Sequence, residues 1–396
     1  MTTPDPARRR FLQTLGALGV CGTGGCLPAG QPPLPPGELL GPAIQLGHRL
    51  RDGIRRAPDS VRGTGILIVG GGISALSAAW RLARSGVDDF TVLEMEAEPG
   101  GNSRAGQSAV TAYPWGAHYL PLPGPQAVWV RELLAELGVL QGSTTATKPR
   151  YDEHYLCATP QERVYRHGLW QEGLLPHLGL SAEERAQQQR FSEQMQALKH
   201  ARGRDGRAVF ALPMALSSRD PAWLALDRIS FRQWLDDEGY TAPTLRWLAD
   251  YACRDDYGTA HTETSAWAGL HYFACRDGEA LHASDDTVLT APDGNAWLAR
   301  GLARAAEGRI VTDALVWRIE EGKSSLAVDV EIGQKSVRYE TQKLIWAAPA
   351  FLLPHVWEQM PTALKAAARA GDYAPWLTAN LHLSDFPEER RGAPPA

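Results

Sequence analysis

The stretch that most constrains this chain is Gly65-Ile66-Leu67-Ile68-Val69-Gly70-Gly71-Gly72-Ile73-Ser74-Ala75-Leu76-Ser77-Ala78-Ala79-Trp80. The apolar run 66–69 reads as a buried strand. It breaks into three glycines and resumes with helical spacing through Ile73, Leu76, Ala79 and Ala83. Gly86 offers a stop, and 87–93 carries a second strand that ends on Glu94. Strand, glycine turn, helix, strand and acid, in that order, make a unit that seats a dinucleotide. The diphosphate rests on the helix N-terminus and the ribose hydroxyls on the acid. Glu94 follows Gly70 by 24 residues, close to the usual offset of about 20. Gly70 makes the tight turn, Gly71 and Gly72 let the pyrophosphate approach beside Ser74, and Ala75 keeps helix and strand close. The competing reading is a glycine-rich strand-helix turn in some other α/β protein. An acid at the ribose serves NAD and FAD equally.

Two further stretches offer backbone to a ligand. Glu98-Pro99-Gly100-Gly101-Asn102-Ser103-Arg104 places two glycines just past the acid, where free N–H groups approach a phosphate or a ring. As a plain turn it needs no such role. Tyr113-Pro114-Trp115-Gly116-Ala117-His118-Tyr119-Leu120 mixes aromatics, small residues and a histidine between prolines. That composition is poor for a regular element and suits a loop that walls a flat ligand.

At 396 residues the chain is long for one core, so one large or two medium domains are expected. A net charge of -5 argues against a nucleic-acid surface. The 13 tryptophans belong in a core or at domain contacts, with some available to line an aromatic pocket. Five cysteines without a Cys-x-x-Cys pair build neither a disulfide framework nor a metal site, and the 11 histidines form no ligand array.

Residues 1–27 read as an export signal. Arg8-Arg9-Arg10-Phe11-Leu12 precedes a short apolar run and small residues, and the paired arginines resemble the twin-arginine type. The run is too short to span a bilayer. Export to the periplasm is the expectation, with a cytoplasmic location if the signal reading fails. Cys21 or Cys26 is where a lipid anchor to a membrane would sit, although neither follows a leucine-small-small pattern.

Residues 28–63 read as a Pro/Gly-rich linker and a charged lead-in. The first part of the dinucleotide domain spans 64–149, with a helix over 126–137. An inserted, mainly helical substrate domain spans 150–290. It opens with a hairpin turning at His167-Gly168 and continues with helices started by Ser181/Glu184 and by Ser230/Gln233. Helices over 244–253 and 264–274 follow. The dinucleotide domain returns over 291–396, with a helix after Asn295 and strands over 310–319, 325–332, 336–339 and 343–349. The fold class is therefore α/β: a Rossmann-like FAD/NAD(P)-binding domain carrying a helical insertion.

In this order, Gly70-Gly71-Gly72 with Ala75 and Glu94, Gly100-Gly101-Asn102-Ser103, and Gly116-Ala117-His118 resemble the flavin amine oxidase superfamily. Monoamine and polyamine oxidases, protoporphyrinogen oxidase and the carotenoid desaturases belong to it. The resemblance implies FAD as cofactor and hydride transfer from a C–N or C–C bond of a small-molecule substrate to flavin N5. It assigns the ribose to Glu94, the diphosphate to the turn 70–75, the flavin side to Gly101, Asn102 and Ser103, and the adenine to the backbone of Val316. Gly116, Ala117, His118 and Pro349 would wall the ring. Asn102 stands where the family usually has arginine, so the phosphate contact falls to backbone or to Arg104. No acid-base pair identifies the substrate. His118, His261, His271 and Tyr257 are polar candidates, and each reads first as a structural or surface residue. Nothing after Pro349 resembles the family's closing Gly-Glu motif. The chain looks like the first three quarters of such an enzyme: a truncated product, a fragment, or one half of a protein completed by a partner chain. As it stands, weak FAD binding and impaired catalysis are the alternative expectation.

Overall fold

The computed structural model describes residues 36–157, 162–284 and 287–385. Two units are distinguished, Met1–Pro42 and Ala43–Ala396. Of the first, only residues 36–42 are described, and they carry no helix or strand. The twin-arginine stretch, Cys21 and Cys26 lie outside the described residues. No helix among the described residues is long and apolar enough to cross a membrane.

The second unit begins with a helix, α1 (Ile44–Asp52), where the sequence suggested only a charged lead-in. Arg49 in its last turn pairs with Glu331 of the central sheet, in the strand next to its edge, which fixes the helix there. The central sheet has six strands: β1 (Ser60–Val69), β2 (Phe90–Leu93), β3 (Ile310–Val311), β4 (Ala314–Glu321), β5 (Leu326–Ile332) and β6 (Lys335–Trp346). Their spatial order is β3-β2-β1-β6-β5-β4. β3, β2, β1 and β6 run parallel, while β4, β5 and β6 form an antiparallel meander. A buried parallel strand needs an apolar run, and Leu67, Ile68 and Val69 are nearly or fully buried.

Two strand expectations are corrected. The run 310–319 is not one strand, because Asp313 adopts φ 53° and turns the chain between β3 and β4, which lie on opposite edges. Conversely, 336–339 and 343–346 belong to one 12-residue strand, β6, which ends at Trp346 and leaves 347–349 outside it. That strand serves the meander on one side and the parallel sheet on the other, so its sequence shows no single period.

The helix α2 (Ile73–Arg84) crosses from β1 to β2, buries Ala75, Leu76, Ala79 and Trp80, and ends just before Gly86 (φ 74°). It packs on a later helix, α8 (Ala296–Arg304). α3 (Val128–Glu136) and α8 share a core of Leu76, Trp80, Leu134, Trp297 and Leu302.

The insertion has its own core of Phe191, Phe231, Leu235, Leu245 and Leu270. Its helices are α4 (Ala182–Lys199), α5 (Phe231–Asp237), α6 (Pro243–Tyr257) and α7 (Ala266–Ala274). α4 begins with a complete capping box: the Ser181 hydroxyl accepts from Glu184 N–H at 3.1 Å and Glu184 accepts from Ser181 N–H at 3.0 Å. α5 is capped by Ser230, which accepts from Gln233 N–H at 3.1 Å. The hairpin Arg163–Arg166/Leu169–Glu172 turns at His167 and Gly168, both at positive φ, as an I′ turn demands.

Candidate functional site

The glycine turn is built by close packing. Gly70 has φ 109°, and its N–H donates to Leu93 O at 2.8 Å. A Cβ there would come within 3.0 Å of the Ala347 and Ala348 backbone, so the tip of β6 abuts the turn. At Gly71 a Cβ would meet the Glu94 Cβ at 2.8 Å. Gly72 caps α2 without any side-chain hydrogen bond. A helix leaves its first N–H groups without intrahelical partners. Here no side chain takes them, and a Cβ on Gly72 would meet only the Gly101 Cα, at 3.9 Å. Ser74 is exposed and Ala75 fully buried, so the turn is open on one face and packed on the other. This arrangement fits a diphosphate.

Glu94 is buried at the tip of β2. Burial pushes its carboxyl above the ordinary value, against the lowering effect of the Glu96 and Gly71 N–H groups; the bond from Glu96 measures 2.8 Å. Its backbone is also held, donating to Val311 O and accepting from Ala314 N–H at 2.9 Å each. The acid is thus fixed in place to accept hydroxyl hydrogen bonds. Glu96 is occupied by Ala43 N–H at 2.7 Å and by Arg104 at 3.4 Å.

The second glycine pair is brought onto the first. Gly100 N–H donates to Gly71 O at 2.8 Å, and a Cβ on Gly101 (φ 57°) would lie 3.1 Å from the Gly72 Cα. Residues Gly101–Ser103 form a single 3-10 turn with Ser103 buried and Asn102 exposed. Arg104 is committed inward: Nε donates to Gly101 O at 3.2 Å, Nη1 faces Glu96, and the guanidinium lies 5.1 Å from the Trp115 ring centroid. Of the two anion contacts left open by the sequence, backbone N–H groups therefore have the better geometry.

The third stretch is more regular than expected, with short strands Ala112–Pro114 and Tyr119–Pro121 flanking the residues 115–118. Ala117 N–H donates to Asn102 O at 3.2 Å, and Ala117 O accepts from Asn295 N–H at 2.9 Å. The loop is thereby clamped between the second glycine pair and the start of α8. His118 is exposed, with Nδ1 3.1 Å from Gly116 O. Pro349 is exposed beyond β6, and its carbonyl accepts from Trp346 Nε1 at 3.2 Å. Val316 is buried in β4, beside a bulge that breaks pairing between Val316 and Arg318. Its side chain belongs to a core with Leu67, Val69 and Leu93, which leaves only its backbone for a ligand.

Three of the polar candidates are tied into the insertion. Tyr257 donates to Ala268 O at 2.7 Å, His271 Nε2 lies 3.0 Å from Ala211 O, and His261 Nδ1 lies 2.8 Å from Asp250. Burial lowers the His271 pKa, opposed by its bond to Ala211. Cys253 and Cys275 are buried and pushed up to about 11 and about 12 by desolvation, so neither is a thiolate at neutral pH. Among the described residues no cluster of His, Cys, Asp or Glu suits a metal ion. The sequence reading missed Arg276, which gathers with Tyr272 around Tyr119 where α7 ends. No motif marks it, since it meets Tyr119 only through folding.

Comparison with known proteins agrees with this geometry. The profile of the NAD(P)-binding Rossmann-like domain matches residues 68–137. No curated protein sequence is similar enough to count as a relative. Wild-type putrescine oxidase bound to putrescine superposes with a TM-score of 0.57 at 17% identity, over 78% of this chain and 64% of that one. A double mutant of putrescine oxidase made to redesign cofactor binding gives 0.56 at 17% identity, with the same coverage. Cyclohexylamine oxidase from Brevibacterium oxydans IH-35A gives 0.50 at 18% identity, over 77% and 63%. These proteins share the fold, and the chain spans somewhat under two thirds of their length.

Proposed function

We propose that this chain, which has the fold of putrescine oxidase, holds FAD as an oxidoreductase of the flavin amine oxidase superfamily, with the flavin N5 accepting hydride from a C–N or C–C bond of a small organic substrate. The observation that carries the proposal is the meeting of Gly72 with Gly101 at the uncapped start of α2, beside the buried Glu94. The turn 70–75 binds the diphosphate through backbone N–H groups and Glu94 takes the ribose. The second glycine pair and the clamped loop 115–118 orient the ring and exclude water from one face. The Val316 backbone, beside its bulge, is the adenine contact. The test is the visible spectrum of the purified protein after incubation with FAD. Flavin bands retained through gel filtration are expected; a colourless protein that binds NAD instead would refute the reading.

A second reading is favoured by residues 371–385, an exposed stretch without helix or strand that carries Trp376, Leu377, Leu381 and Leu383. Here the chain is a dinucleotide-binding protein whose flavin side is completed by further polypeptide, in cis or from a partner chain. Co-expression with such a segment would then raise FAD retention. We also propose export by the twin-arginine route, motivated by Arg8 and Arg9. Cell fractionation with Arg8→Lys and Arg9→Lys together should show retention in the cytoplasm; an unchanged distribution would remove the claim. The same fractionation shows whether a lipid on Cys21 or Cys26 tethers the protein to a membrane.

A further inference from the structure

The residue after Cys275, at the end of α7, is an arginine with an unusual set of neighbours. The Arg276 guanidinium carbon lies 5.5 Å from the Tyr119 ring centroid and 5.3 Å from that of Tyr272. Its Nη2 donates to the Tyr119 hydroxyl at 3.1 Å. Among the described residues no carboxylate lies within 4.0 Å of its nitrogens, and Asp256 acts on it only from farther off. Two other part-buried arginines are matched: Arg338 with Asp329 at 2.7 Å, Arg104 with Glu96 at 3.4 Å. Arg131, fully buried, is held by the carbonyls of Pro123, Thr144 and Ala146. Arg276 keeps a charge in a partly desolvated place with most of its fork unspent.

We propose that Arg276 anchors an anionic group of the substrate, a carboxylate, whose organic body lies against Tyr119 and Tyr272. A planar guanidinium over aromatic faces, with spare parallel N–H donors, is suited to taking a carboxylate in a bidentate fashion. The position follows from the chain: Tyr119 is the residue after His118, at the end of the loop clamped onto Asn102. The proposal rests on the reading that this loop walls the flavin ring, which places Arg276 at the boundary between that wall and the helical insertion. Asp255 and Asp256, at the end of α6, are the groups that oppose it. They define the rival outcome, capture of a cation.

The test uses benzoate and benzylamine as probes of equal shape and opposite charge, titrated by calorimetry into the full chain with and without FAD. Benzoate is expected to bind and benzylamine to bind more weakly. Arg276→Gln should weaken benzoate at least tenfold and strengthen benzylamine, since a neutral side chain no longer repels its ammonium. Arg276→Lys keeps the charge and loses the fork, so an intermediate loss is expected. Melting temperatures of both variants separate a folding defect from a binding one, because a merely structural arginine would change melting without changing the benzoate to benzylamine ratio. Failure of benzoate to bind, tighter binding of benzylamine, or benzoate affinity unchanged in Arg276→Gln would each overturn the proposal. The visible spectrum reports FAD separately. Loss of FAD binding with benzoate binding intact refutes the flavin reading and leaves the anion site standing.

Discussion

Gly72 and Gly101 meet backbone to backbone: a Cβ on Gly101 would lie 3.1 Å from the Cα of Gly72, although 29 residues separate them. The reverse contact is looser, since a Cβ on Gly72 would find only the Gly101 Cα at 3.9 Å, and Gly72 has an ordinary φ of -75°. Gly72→Ala should therefore fold normally, with a stability change within about 1 kcal/mol. Its methyl group would occupy the space over the helix N-terminus. FAD and ADP affinities should both fall about tenfold or more, read by titration against an unchanged melting temperature. Equal affinities in variant and wild type would place the diphosphate elsewhere.

On the proposed reading, Glu94 and the turn meet only the adenosine-diphosphate half of a dinucleotide. Glu94→Ala should weaken FAD and ADP by the same factor, about 10-fold to 150-fold for the loss of hydrogen bonds to a charged acceptor worth ~1.5–3 kcal/mol. On the second reading, in which further polypeptide completes the flavin side, ADP is expected to bind the wild type within about tenfold of FAD, a gap of ~1.4 kcal/mol. FAD binding far tighter than ADP, with a protected flavin spectrum, would show instead that the walls 101–103 and 115–118 suffice for the ring.

Asp250 links pH to the stability of the insertion. Burial raises its pKa, but hydrogen bonds from Arg254 at 2.7 Å and from His261 outweigh this and bring it down to about 2, against 3.8 for the free group. A carboxylate with a depressed folded pKa contributes stability that is complete above the unfolded pKa and lost as pH falls through the folded one. Asp250→Asn should cost about 1 kcal/mol at pH 6, after discounting for solvent screening. The penalty should shrink between pH 3.8 and about 2. Thermal melts of both proteins across that range check it; a constant difference would assign the cost to lost packing.

Gly269 lets α5 and α7 of the helical insertion approach closely. A Cβ there would overlap the Phe231 ring, and Phe231 is fully buried. Gly269→Ala gains helix propensity but overpacks the core, and a net loss of about 1–3 kcal/mol is expected by chemical denaturation. A variant as stable as wild type would mean that α5 and α7 slide apart freely.

The sequence by itself determined the dinucleotide unit, because its signals are local. An apolar run, a glycine break, a 3.6-residue period and an acid at the next strand tip all lie within 66–94, and the structure has each in place. The capping box at Ser181 and the His167-Gly168 hairpin were legible for the same reason. Tertiary structure alone decided what long-range contact requires. β6 joins two sheets and so carries two burial patterns in one run, while Asp313 sends β4 to the edge opposite β3. Arg104, one of the two phosphate contacts left open by the sequence, is occupied by Glu96 and Gly101. Arg276 drew no notice in the sequence, since 157 residues separate it from the hydroxyl it binds. Only packing the insertion against Tyr119 brings that cation beside the loop 115–118, with no carboxylate in reach among the described residues.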